Sequence, residues 1–133
     1  MRSNPYLHFD NNCAEAFAFY NKLFPGTGLQ IMRQGDMQKD SPQKDLVLHA
    51  YMKIGDTELM ASDSFDMGYT KPAGMHIAVN VDSPEEAVRI FDALAKGGNV
   101  TQPLIETFFA HKFGTLVDRW NTPWMIVSSK PMG

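Results

Sequence analysis

Cysteine is nearly missing from this 133-residue chain: Cys13 is the only one. A lone thiol makes no intrachain disulfide, so a packed core must hold the fold, and the composition suits a reducing compartment. Cys13 falls where a helix is expected to begin, and a helix N-terminus lowers a thiol's pKa. A packed or idle thiol is nevertheless the preferred reading, because such cysteines rarely have a catalytic base beside them. Long apolar runs are also missing. No stretch approaches the roughly 20 residues of a membrane span, and Met1, Arg2, Ser3, Asn4 and Pro5 form no signal-peptide core, which leads us to expect a cytoplasmic protein. Nor is there an excess of positive charge: 12 Lys and Arg against 15 Asp and Glu give a formal charge of -3, with the signs intermixed. Neither nucleic acid nor a membrane is therefore an expected partner.

What the chain does have is a repeat. Apolar residues at Ala16, Phe17, Phe19, Tyr20, Leu23 and Phe24 follow the spacing of an amphipathic helix, and Ala87, Val88, Ile90, Phe91, Leu94 and Ala95 repeat it at a constant offset of 71 residues. Asn12 with Glu15, and Ser83 with Glu86, each supply a cap and a glutamate three positions on. Pro84 suits a first helical position, and Pro25-Gly26 and Gly97-Gly98 end the two helices. A short strand is expected before each helix, at residues 6–9 and 76–81. Three more follow each helix, at 29–33, 46–54 and 58–62 in the first half and at 100–104, 113–117 and 124–128 in the second, with Gly55-Asp56 as a tight turn. Residues 35–45 read as an exposed polar loop and 64–74 as the join.

The expected fold is thus α+β, one domain over residues 1–133 made of two tandem βαβββ modules, about 5–63 and 75–129. A helix after the first strand of each module implies a mixed sheet with helices on one face, leaving the other, concave face free for a ligand.

Three stretches, NPYLHFDNNCAEAFAFY, LHAYMKIGDTELMASDS and IETFFAHKFGTLVDRWNTPWMI, resemble the PhnB-like branch of the vicinal oxygen chelate superfamily, which includes glyoxalase I, extradiol dioxygenases and fosfomycin- and bleomycin-resistance proteins. The resemblance covers nearly the whole chain and is most specific in the last stretch. It implies a cupped, mixed eight-stranded sheet with helices on the convex face, and a homodimer. In the enzymes it further implies a divalent metal held by the first and last strands of each module and acting as a Lewis acid. Laid on that pattern, His76 matches a metal-ligand position. The other three positions fall near Pro5, Met60 and Met125, and a thioether is a poor ligand for such ions. A one-residue slip would bring Glu58, Ser62 or Asp63 to the place of Met60. No cofactor is therefore expected, and a divalent metal is the minor alternative. PhnB itself is sometimes labelled a demethylubiquinone methyltransferase, but no glycine-rich nucleotide loop lies here between a strand and a helix.

By strand alternation, His76 and Asn80 are expected to face the ligand while Ile77, Val79 and Val81 face the helices. His49 shares a face with Tyr51 and Lys53, opposite Leu48, Ala50, Met52 and Ile54. The expected pocket is His76, Asn80, His49, Met60 and Met125. His8, beside Phe9, is expected to point away from it. Glu106 and His111 flank an aromatic loop and are the candidate catalytic acid–base pair, with a structural hydrogen bond as the alternative. The nine methionines suit an adaptable apolar lining. Two functions stay open: a binder of a small molecule, with a degenerate metal site, and a lyase or isomerase acting on a small oxygenated substrate.

Overall fold

The computed structural model describes residues 1–131 and contains the expected order of elements. In the first half these are β1 (Tyr6–Phe9), α1 (Cys13–Leu23), β2 (Gln30–Arg33), α2 (Gln34–Met37), β3 (Val47–Ile54) and β4 (Thr57–Asp63). In the second they are β5 (Ile77–Asn80), α3 (Pro84–Ala95), β6 (Asn99–Ile105), β7 (Ala110–Val117) and β8 (Pro123–Ser129). The chain divides into two compact units, 1–70 and 71–133. Each carries a four-stranded mixed sheet with the same topology, β1-β4-β3-β2 in the first and β5-β8-β7-β6 in the second. The outer β1 and β5 run parallel to β4 and β8, and the remaining pairs are antiparallel.

In the first unit α1 packs on β3 and β4. It buries Ala16, Phe17, Tyr20 and Leu23 against Leu7, Phe9, Ala50, Met52, Leu59 and Ala61. That is one stripe of a helix against alternate residues of three strands. Gly55 opens the β3–β4 hairpin at φ +58°, the left-handed backbone that a two-residue turn demands of its first position. The caps differ from expectation. Asn12 makes no side-chain cap bond. Instead, the Asp63 carboxylate at the end of β4 accepts the Cys13 N–H at 2.8 Å through one oxygen and the Val47 N–H at 2.7 Å through the other. This ties α1, β3 and β4 together at one point.

In the second unit α3 packs on β6, β7 and β8. Ser83 caps α3 as expected, accepting the Glu86 N–H at 3.1 Å, while the Glu86 carboxylate turns to Arg89. Gly114 faces the helix. A Cβ there would lie 2.7 Å from the Phe91 ring and 2.9 Å from the Leu104 Cα, so only glycine lets β7 approach so closely. At the far end, buried Asp118 accepts the backbone N–H groups of Trp120 and Thr122 and the Trp124 indole N–H.

Three local expectations are corrected. Residues 35–45 are not wholly loop, since α2 begins at Gln34, and Asp36 folds back on the Arg33 N–H at 2.8 Å. Strand β7 starts at Ala110, so His111 lies on a strand and not at the edge of a loop. Leu48 does not share the helix face of Ala50 and Met52. The β2–β3 register slips between Met32 and Arg33, and the extra residue turns Leu48 outward to 37% exposure.

Candidate functional site

The side of the first sheet away from α1 carries two cross-strand rows. One runs Tyr6, Met60, Tyr51, Gln30, and the other joins His8 to Ser62 and His49 to Met32. His8 therefore lies on the helix-free face, which corrects the expectation that it points away. The offset of 71 residues holds for the helices but not for the phase of the strands before them. Leu7 and Phe9 are buried in β1, while the more buried residues of β5 are Ile77 and Val79. Asn11, in the left-handed region at φ 60°, lies in the link where the second unit has no such residue, and it sets the different phase.

On this face the Tyr6 ring has His8 at 5.2 Å and His49 at 5.9 Å, and its hydroxyl is 3.4 Å from His49 Nδ1. His8 Nδ1 is 3.5 Å from the Ser62 hydroxyl. At the other end Glu58 pairs with Arg2 at 3.0 Å and accepts from Asn4 at 2.9 Å. The Asn4 bond first, helped by the Arg2 charge, holds the Glu58 carboxyl below the usual range.

Beyond His8 the sheet opens into a cleft of about 600 Å³, lined among others by His8, Gln34, Leu48, Ser62, Phe65 and Met67. Its rim is built. The Phe65 N–H donates to the Asn11 side chain at 2.9 Å, the Asn11 amide returns a bond to the Phe65 carbonyl at 3.3 Å, and the Ser64 N–H reaches the Phe9 carbonyl at 2.9 Å. None of the five residues expected in the pocket lines this cleft. The sequence signal for it was the asparagine pair after β1, because asparagine tolerates left-handed backbone and bonds across turns.

In the second unit Ala78 pairs with Met125, and Met125 with Thr115, so Met125 lies on the side away from α3. Asn80 donates to the Ser129 hydroxyl at 2.9 Å. His76 is exposed and precedes β5. Glu106 and His111 are not joined as an acid–base pair. Glu106 instead forms an ion pair with Lys130 at 2.8 Å, and this hydrogen bond and charge push its pKa below the ordinary value. Lys130 also donates to the Thr107 carbonyl at 2.8 Å, and the Thr107 N–H closes a tight turn onto Ala110 at 3.0 Å. The turn holds Phe108 at 92% exposure, edge-on to Phe109, which in turn meets Phe113 edge-on. Cys13 is buried, and burial first, then the Asp63 charge, drives its thiol pKa up, so no nucleophile is poised there.

Residues 2–127 match the model of a family described as 3-demethylubiquinone-9 3-methyltransferase. The chain belongs to that family. It is 32% identical to protein YjdN of Escherichia coli K12, over 95% of this chain and 94% of that one. Among solved structures, protein PA1353 of Pseudomonas aeruginosa is 39% identical, with a TM-score of 0.89 over 98% of this chain and 99% of that one. The PhnB protein of Bacillus cereus is 27% identical, with a TM-score of 0.84 over 97% and 100%. The chain is therefore a PhnB-like member of the vicinal oxygen chelate superfamily, with the tandem βαβββ modules of the glyoxalase-like fold.

In this PhnB-like chain three of the four metal-ligand positions carry poor donors. Met60 and Met125 offer thioethers, and the Pro5 carbonyl is already taken by the Met60 N–H at 3.1 Å. Of the residues a slip could supply, Asp63 is spent on two backbone N–H groups and Glu58 on Arg2 and Asn4. Among the described residues no group of three or more His, Cys, Asp and Glu is placed to hold an ion. The donor set does not fit the hard or borderline divalent ions of the enzymes.

Proposed function

We propose that this PhnB-like protein binds a small organic molecule on the helix-free face of its sheets, and that no catalytic divalent metal takes part there. The observation that carries this reading is the side-chain set of the first sheet: Tyr6, His8, Met60, Ser62 and His49 share one face, and a cleft of about 600 Å³ opens beside them. That volume lies in the range of small-molecule sites, which combine apolar walls with placed polar groups. The binder reading is further supported by the ion pair of Glu106 with Lys130, which gives Glu106 a partner other than His111. We also place the protein in the cytoplasm and read it as a homodimer. No helix among the described residues is long and apolar enough to cross a membrane.

The test is elemental analysis of protein purified without added metal or chelator, followed by thermal-shift titration with nickel, zinc and manganese, and then a small-molecule screen with the same readout. The expected outcome is no stoichiometric metal and no metal-induced stabilisation, with stabilisation by organic ligands. A near-stoichiometric metal that disappears in His76→Ala would overturn the reading.

A further inference from the structure

The cleft of the first unit has an uneven lining. Leu48, Phe65 and Met67 form its apolar wall, with Met67 at 89% exposure. Its polar side chains are hydroxyls, an amide and the His8 imidazole, which lies on β1 with Nδ1 facing Ser62 Oγ at 3.5 Å. The one carboxylate in the lining, Asp63, is 6% exposed, and each of its oxygens already accepts a backbone N–H. Both oxygens are thus directed at the backbone of α1 and β3 and do not serve as the cleft's hydrogen-bonding groups. What remains is a site with several N–H and O–H donors, the His8 imidazole and the Ser62 hydroxyl side by side among them.

We propose that the cleft takes a weak organic acid: an apolar body lies on Leu48, Phe65 and Met67, and its carboxylate meets His8 and the Ser62 hydroxyl. This rests on the small-molecule reading above and assigns its ligand class. A hydrogen bond to an ionised acceptor is roughly twice as strong as a neutral one, so the His8 N–H and the Ser62 O–H favour a carboxylate over its neutral isostere.

The probes are hexanoate and hexanamide, titrated into the whole protein and followed by NMR through the imidazole signals of His8 and the backbone signals of Phe65 and Met67. Hexanoate is expected to shift these signals and to bind about tenfold more weakly to His8→Gln, while hexanamide binds both proteins alike. His8 is exposed, so His8→Gln should keep the wild-type amide spectrum, and Ser62→Ala serves as the second variant, also expected to weaken hexanoate. Equal loss of both probes in His8→Gln, hexanoate binding that ignores both substitutions, or no binding of hexanoate would each overturn the acid assignment. The screen under the proposed function still decides whether any small molecule binds.

Discussion

At the residue scale, the difference between a catalytic carboxylate and a structural one lies in its partner. Glu106 was singled out by its nearness in sequence to His111, yet the side chain that reaches it is Lys130, from beyond the end of β8. Spacing along a loop does not reveal a partner 24 residues away, and this is why the pairing was illegible. The consequence is measurable. Glu106 should titrate below the ordinary glutamate value in a carboxyl NMR experiment, and Lys130→Met should bring it back up, because the Lys130 hydrogen bond and charge are the largest causes of the shift. A folded-state pKa below the unfolded one means that the pair stabilises the protein above the unfolded value and loses that contribution as pH falls through the folded one. The carboxylate is largely exposed, so the effect should be small and fade with added salt. An unchanged Glu106 titration in Lys130→Met would dismiss the ion pair.

At the element scale, the strands and helices were legible because periodicity is a property of each segment alone. The apolar spacing of α1 and α3, and the breakers after them, placed both helices to within a few residues. What periodicity missed was the phase between segments. One left-handed residue, Asn11, and one bulged residue, Leu48, exchanged the faces of His8 and Leu48 and so built a cleft from residues the alternation had assigned elsewhere. The cap of α1 shows the same limit. Asn12 stands in the right place, but its side-chain oxygen is buried without a partner, and Asp63, about 50 residues on, caps the helix instead. Asp63→Ala should therefore strip two buried N–H groups of their acceptor and cost about 2–4 kcal/mol in chemical denaturation. Asn12→Ala should cost nearly nothing, since the cap it would remove does not exist. Equal losses in the two variants would show that the helix is capped through Asn12 after all.

At the scale of the whole molecule, the repeat was legible and the assembly is a matter for experiment. Two units built alike can each satisfy their own backbone, and each does so through one buried carboxylate: Asp63 in the first, Asp118 in the second. The second unit spends further interactions on an outward feature. The Thr107 turn, the Lys130 contacts to the Thr107 carbonyl and the Glu106 carboxylate, and the edge-on Phe109–Phe113 pair all fix the backbone that presents Phe108 at 92% exposure. Ile105, the ladder partner of Phe113, is 56% exposed. A phenylalanine held rigidly in water gains nothing for the monomer, whereas aromatic anchors are enriched at interfaces and lose little entropy there when already ordered. If the protein forms the proposed homodimer through this surface, sedimentation velocity should give about twice the 14.9 kDa chain mass for the wild type. Phe108→Ser should then weaken the dimer by roughly tenfold or more, the scale of a truncated anchor, without altering the melt of the monomer. A Phe108→Ser protein that dimerises as tightly as the wild type would place the interface elsewhere and leave the turn to a different partner.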